Sequence, residues 1–325
     1  MRLSQDVTAR FACLRCGQSL TMGRTSGATD EHALVCTGCG ATYPIVRGIP
    51  RFVSSDNYAA SFGMQWNRHP RTQLDSETGL TISRDRLFAT TGWPARLDGQ
   101  TILEAGSGAG RFTETLVTTG AFVYSFDFSE AVDANAANNG RADSLCLFQA
   151  SIFDVPLKPE TFDKVLCLGV LQHTPDPERA FKTLAMFVKP GGELVVDIYA
   201  KRLTALISWK YLLRPITTRL DRERLHRLVE RSVDTLLPLA VRLRRFGGRV
   251  GARLLPITEY SHLLPAGLNR EWAVLDTFDM YSPAHDHPQS IATVSRWFRD
   301  AQFANVHVGR GLNGVVGRGT RPRPH

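Results

Sequence analysis

The stretch Ile102-Leu-Glu-Ala-Gly-Ser-Gly-Ala-Gly-Arg-Phe112 decides how the rest of the 325-residue chain is read. An apolar run carrying an acid, Glu104, leads into Gly106, Gly108 and Gly110. Backbone without side chains can approach a ligand there, beneath the helix that follows. A GxGxxG at this place suggests a dinucleotide with its pyrophosphate on the helix terminus. Here the spacing is GxGxG, and a glutamate on the strand end repels a pyrophosphate but suits a ligand bearing an amino group. That combination favours S-adenosylmethionine over NAD.

Outward from this loop, short apolar runs alternate with helical stretches. Strands are expected at 101–105, 122–126, 145–149, 162–168 and 193–199, and helices at 112–119, 130–139 and 177–187. Such alternation implies an α/β fold, a mostly parallel sheet covered by helices. It stops for about 90 residues, then resumes with a helix over 290–300 and a strand over 305–308. The simplest organisation is one α/β domain with an insertion after its fifth strand. Asp127 ends the second strand, 17 residues beyond Gly110, where a carboxylate can accept both ribose hydroxyls; a helix-capping aspartate is the alternative. After the third strand, QASIFDVPL (149–157) can form an adenine slot from its backbone and from Ile152 or Phe153.

ILEAGSGAGRF, YSFDFS, QASIFDVPL and FDKVLCLGVLQHTPDPERAF follow in order, with KPGGELVVDIY as the fifth-strand entry. Together they resemble the class I S-adenosylmethionine-dependent methyltransferases of type 11, across 54–200 and 290–316. The resemblance implies a seven-stranded Rossmann-like fold. It assigns Glu104, Gly106, Ser107, Gly108 and Leu168 to the cofactor, Asp127 to the ribose, and Phe128 to a place beside the ring. Ser151 and Ile152 fall at the adenine edge, where the family often has an aspartate near Ala150 or Ser151; this chain has none.

Cys13-Leu-Arg-Cys16 and Cys36-Thr-Gly-Cys39 form two CxxC knuckles separated by 19 residues. Four soft thiolates favour tetrahedral zinc, and a closed site leaves no position for chemistry. Disulfides, a redox CxxC and an iron–sulfur centre are the alternatives. With the following YPI…GIP segment, residues 1–53 resemble the Trm112-like zinc ribbon that precedes some methyltransferase domains. The first 55 residues hold only six basic side chains. Structural or partner-docking use is therefore expected over nucleic-acid binding.

Residues 54–98 read as a helical lead-in, with Tyr58, Phe62 and Trp66 as an aromatic stripe that either lids the cofactor or packs on the domain. Residues 201–289 form the helical, basic insertion, and 317–325 read as a loose tail. The chain carries 39 Lys and Arg against 31 Asp and Glu, a formal charge of +8. Of these, 14 basic and 4 acidic residues lie between Lys201 and Arg253. Short arginine-rich helices at 206–215 and 236–246 suit a soluble cap, a peripheral membrane contact that admits a lipid-linked acceptor, or, less favoured, RNA. No apolar run approaches the roughly 18 residues of a membrane span, and the amino terminus lacks a signal peptide, so a cytoplasmic protein is expected.

Methyl transfer needs an aligned acceptor, and a base only where the nucleophile starts protonated. His262, in Glu259-Tyr-Ser-His262, is the favoured base, with His173 and His285 as the other candidates. Tyr58, Trp66, Tyr199, Tyr260, Asp276, Asp279 and Tyr281 are the candidate acceptor-pocket residues, 276–285 being read as a loop. A catalytic magnesium is disfavoured by the order and spacing of these groups. The expected reaction is O-methylation of a sugar, glycolipid or specialised metabolite, with N- and C-methylation and the oligomeric state open. An RNA methyltransferase and a non-catalytic regulatory scaffold are the competing classes.

Overall fold

The computed structural model describes residues 4–24, 32–54, 56–201 and 208–324. The amino-terminal module consists of α1 (Gln5–Thr8) and the strands β1 (Leu20–Arg24), β2 (His32–Cys36), β3 (Thr42–Val46) and β4 (Ile49–Pro50), paired antiparallel in sequence order. Three helices lead into the main domain: α2 (Ala60–Arg68), α3 (Asp75–Thr78) and α4 (Ile82–Thr91). The alternating core follows as β5 (Thr101–Ala105), α5 (Thr113–Leu116), β6 (Phe122–Asp127), α6 (Ala131–Asn139), β7 (Leu145–Gln149), β8 (Phe162–Leu168), α7 (Pro177–Ala185) and β9 (Val188–Ile198). The insertion contributes α8 (Trp209–Thr217), α9 (Arg222–Gly251) and α10 (Ala266–Tyr281). The chain returns through α11 (Ile291–Asp300), β10 (Ala304–Arg310) and β11 (Val315–Thr320).

The seven-stranded sheet has the order β10-β11-β9-β8-β5-β6-β7, with β5 to β9 parallel and β10 and β11 antiparallel. Every residue of β5 and β7 is buried, as expected for parallel strands covered on both faces. From β5 the chain winds outward through β6 and β7, then crosses to β8 on the other side. This reversal opens a crevice at the carboxyl ends of β5 and β8, the place where open α/β sheets bind ligands. Helix entries follow local chemistry: Asp176 caps α7 by accepting from the Arg179 N–H at 3.0 Å, with Pro177 at its first turn.

The ribbon shares a core with the large sheet. Phe11 is fully buried, stacked on Phe52 at 5.6 Å and edge-on to Phe148 at 5.3 Å. The Phe52 N–H donates to the carbonyl of Gln149 at 2.9 Å, so the ribbon's exit strand covers the open edge at β7. Arg51 reaches Asp133 at 2.6 Å and Gln149 at 3.1 Å.

Two expectations need correction. The tail read from residue 317 is sheet as far as Thr320, because β11 runs between β9 and β10. Its glycines are packing requirements: a Cβ on Gly317 or Gly319 would meet the Phe298 ring at 2.5 or 2.7 Å. Residues 276–281 are the last turns of α10, a helix buried on several sides; its carbonyls and side chains tie to the lead-in, with Gln65 donating to Leu275 O and Trp272 to Thr72 O. Residues 202–207, where the first basic helix was expected to begin, lie outside the described residues; α8 starts at Trp209.

Candidate active site

A cavity of about 520 Å3 occupies the crevice, roofed by α2, α4 and α10. Its floor is the loop after β5. Gly106 has φ 77°, and a Cβ there would lie 2.3 Å from Val170, so only glycine lets the loop turn against β8's exit. Gly108 has φ 53° and would place a Cβ 3.2 Å from the Trp66 indole. The aromatic stripe thus faces the glycine loop: Tyr58, Phe62 and Trp66 all line the cavity, and Tyr58 packs on Phe128 at 4.8 Å.

Asp127 links β6 to this loop. One oxygen accepts the Gly108 N–H at 2.9 Å; the other accepts the Ser129 N–H at 2.8 Å and its hydroxyl at 2.6 Å. Burial raises its pKa against these three bonds. Glu104 is buried beneath the loop, where Oε2 accepts from Thr113 at 2.6 Å and Ser125 at 2.8 Å while Oε1 has no partner among the described residues. Burial pushes its pKa up to about 7, with the two hydroxyls opposing. Ser107, Phe128, Ile152 and Leu168 line the cavity. Ser151 does not: it closes its own turn by accepting the Phe153 N–H at 3.1 Å, and Phe153 lies under Arg179 instead.

The other half of the cavity lies toward α10. His173 is buried, with its ring against Phe62 at 5.1 Å and Tyr199 at 5.4 Å. Its Nδ1 is 3.2 Å from the carbonyl oxygen of His285. A carbonyl only accepts, so Nδ1 carries the hydrogen and Nε2 is the basic nitrogen of the neutral ring. Burial lowers the His173 pKa and keeps the ring neutral. Two tyrosine–carboxylate pairs face the same space: Tyr260 donates to Asp276, and Tyr199 donates to Asp279 at 3.1 Å. Burial, with Asp279 adding to it, pushes Asp276 up to about 6 despite the Tyr260 bond.

The remaining candidates fall elsewhere. His262, the favoured base, is exposed and outside the cavity. Glu259, expected to orient it, is buried, pairs with Arg244 and accepts from the Ser261 hydroxyl at 2.6 Å. The His285 ring packs on Tyr58 at 5.2 Å and does not line the cavity; its contribution is the backbone carbonyl that holds His173. Tyr281 also lies outside the cavity, with its hydroxyl donating to Pro256 O at 2.8 Å.

Sequence reading passed over Arg111, although it stands in the decisive loop itself. It lines the cavity, donates to Gln73 Oε1 at 2.5 Å and Ser83 at 3.2 Å, and lies over the Phe112 and Trp272 rings. Burial, with Arg86 nearby, pushes its pKa down to about 9. Arg86 is paired with buried Asp197 at 3.0 Å and Lys210 with Asp286 at 2.8 Å. Among the described residues, Arg111 has no carboxylate within ion-pair distance, which makes it the cavity's uncompensated cation.

In the ribbon, the sulfurs of Cys13, Cys16, Cys36 and Cys39 all lie within 4.8 Å of one another, Cys13–Cys39 at 3.6 Å and Cys16–Cys36 at 3.4 Å. None is in a disulfide. A tetrahedral thiolate site with metal–sulfur bonds of about 2.3 Å sets its sulfurs about 3.8 Å apart. The four thiols form a metal-binding set.

Residues 103–196 match the family described as a methyltransferase domain. The Coxiella burnetii protein named ubiquinone biosynthesis O-methyltransferase is 35% identical over 113 residues, covering 34% of this chain and 48% of that protein. The protein of that name from Pseudomonas putida is 31% identical over 127 residues, 37% of this chain and 55% of its own length. The chain thus spans about half the length of the curated relatives it matches. Among solved structures it is similar to a complex of the Haloferax volcanii Trm112 methyltransferase activator with a methyltransferase, at TM-score 0.46 and 15% identity over 83% of this chain and 100% of that one. It is also similar to a Haemonchus contortus phosphoethanolamine N-methyltransferase, at TM-score 0.40 and 13% identity, covering 71% and 38% of the two chains. The matched segment contains β5 with its glycine loop, Asp127, β8 and the segment after β7; over these residues the chain carries a methyltransferase domain.

Proposed function

We propose that the protein methylates a hydroxyl of a small-molecule acceptor, using S-adenosylmethionine in the crevice cavity and a zinc ion in the ribbon. The observation that carries this reading is the juxtaposition of Asp127 and the glycine loop with a buried, neutral His173 in one cavity. The curated relatives are named O-methyltransferases, which supports the oxygen acceptor.

The residues present fit the cofactor. Glu104 holds a buried oxygen below the loop with no partner among the described residues, suited to an ammonium group. Asp127 has the place of the ribose acid, Phe128 and Ile152 offer apolar walls to the adenine, and Arg111 is free to receive the methionine carboxylate. Bound S-adenosylmethionine supplies an electrophilic methyl group on sulfur, so the protein's main work is alignment and exclusion of water. Tyr58, Phe62 and Trp66 close the cavity from α2 and its approach. His173 Nε2 would take the acceptor's hydroxyl proton as the methyl carbon–oxygen bond forms and the methyl carbon–sulfur bond breaks with its electron pair left on sulfur, and the His285 carbonyl holds the ring's tautomer. Asp276 and Asp279, each bonded by a tyrosine, orient the acceptor's remaining hydroxyls.

The four thiols supply a closed donor set that suits zinc in a structural role. The test of the reaction is transfer of labelled methyl from S-adenosylmethionine to a panel of phenols, sugars and glycolipids, with S-adenosylhomocysteine release measured in parallel. Transfer only to amines, or to none of these with cofactor binding intact, counts against the hydroxyl acceptor.

A further inference from the structure

We propose that the outer face of α8 and the distal half of α9 form a docking surface for an anionic lipid bilayer. The observation is a coincidence of exposed apolar side chains with unpaired arginines on one part of the insertion. On α8, Trp209, Leu212 and Ile216 are spaced by three and four residues, so they share one face, and all three are exposed, Ile216 by 63%. Farther along α9 and just past its end, Leu239, Phe246, Val250 and Leu254 are exposed, Phe246 by 80% and Val250 by 74%. The Trp209 indole N–H donates to the Leu254 carbonyl at 3.1 Å, which brings the chain just past α9 against α8; α9 kinks at Gly248 (φ 54°, ψ −136°), between Phe246 and Val250.

Single exposed apolar residues are ordinary; a joined set is not. Its charge identifies the occupant. All four acids of the segment 201–253, Asp221, Glu223, Glu230 and Asp234, lie in or beside the proximal half of α9. Residues 235–254 hold five arginines and no acid. Of these, Arg244 turns inward to Glu259, whereas Arg242, Arg245 and Arg253 are exposed. Among the described residues these three have no carboxylate within ion-pair distance. Apolar side chains that enter the acyl boundary, flanked by guanidinium groups at phosphate level, are what an anionic bilayer surface selects. Single-stranded nucleic acid instead asks for stacking platforms, and Phe246 is the only aromatic ring on the arginine-rich row.

The placement gives the surface a use. Lys210 of α8 lines the acceptor half of the cavity while Trp209, its neighbour, belongs to the apolar face. A lipid-soluble acceptor can therefore pass from the bilayer to the cavity along α8. The use rests on the methyl-transfer reading; the bilayer contact does not, and it is measured separately.

The experiment is vesicle co-sedimentation of the full chain, with phosphatidylglycerol-containing vesicles against pure phosphatidylcholine. Wild type is expected to sediment with the anionic vesicles and to be released by salt. Each arginine reversed in Arg242→Glu and Arg245→Glu should lower partitioning about fivefold. The double variant Phe246→Glu, Val250→Glu should lower it about tenfold or more, with S-adenosylhomocysteine affinity unchanged in every variant as the control for folding. Wild type that ignores both vesicle types overturns the proposal. So does a surface variant that partitions like wild type, a short RNA that binds more tightly than the vesicles and is insensitive to Phe246→Glu, or self-association through this face that excludes vesicles.

Discussion

The Nδ1 of His173 lies 3.2 Å from the carbonyl oxygen of His285, so a residue that follows α10 fixes the tautomer of a ring held just after β8. Replacing His173 with Ala should lower the single-turnover rate of methyl transfer by about 10²- to 10⁴-fold while cofactor affinity stays within a few-fold. Because burial depresses the His173 pKa, the base should stay competent below the ordinary histidine value, and the acid limb of the rate profile should lie below about pH 6.5. Full activity in His173→Ala would move the proton to Asp276 or to water.

Arg111 contributes a charge to the cavity with no carboxylate within ion-pair distance among the described residues. Arg111→Gln should weaken S-adenosylmethionine by about ten- to a hundredfold through loss of a charge-assisted bond, and should leave decarboxylated S-adenosylmethionine unaffected. Calorimetry with both ligands decides. An equal loss for both would mean that Arg111 acts by holding Gln73 and Ser83 in place.

One zinc per chain is expected by elemental analysis, bound by Cys13, Cys16, Cys36 and Cys39. Phe11 carries the ribbon into the core of the large sheet, and Tyr124 donates to Val7 O at 3.1 Å. Cys36→Ser or chelation should therefore lower the melting temperature of the whole chain rather than release a separate module. Metal-free protein with an unchanged melting temperature would refute this.

His69 and His226 face each other across α2 and α9 with their Nε2 atoms 3.1 Å apart, an arrangement that needs one nitrogen without a hydrogen. Burial, together with His226, pushes His69 down from 6.5 to about 4. The unfolded chain thus takes up the proton first, and stability is complete above about pH 7 and falls as pH drops from about 6.5 toward 4. The ring's partial exposure limits the effect to roughly 1–2 kcal/mol. Melting curves across this range should flatten in His69→Gln; an unchanged slope would assign the acid loss to other groups.

The juxtaposition of the glycine loop with Asp127 was legible because its requirements are local. A strand, a glycine turn and an acid at the next strand's end follow one another in the chain, and they come together as the GxGxG spacing implies. The half of the cavity toward α10 was not, since its partners meet only in three dimensions. Glu259 looked poised for His262 in sequence but is taken by Arg244 and Ser261. Residues 276–281 read as a loop because α10 is buried on several sides, at Trp272, Ala273, Val274, Leu275, Thr277 and Phe278, and so shows no single apolar stripe. Likewise β11 read as a tail because Phe298 demands glycines at 317 and 319, and glycine in sequence signals a loop.

Calorimetric titration of the purified chain with S-adenosylhomocysteine, repeated on folded Asp127→Ala, tests the site most directly. Wild type should bind one equivalent saturably. The variant, deprived of the carboxylate that joins the Gly108 N–H to the cavity, should bind about ten- to a hundredfold more weakly. NADH binding in place of S-adenosylhomocysteine, or undiminished affinity in Asp127→Ala, would contradict the assignment of the β5–β6 crevice to this cofactor.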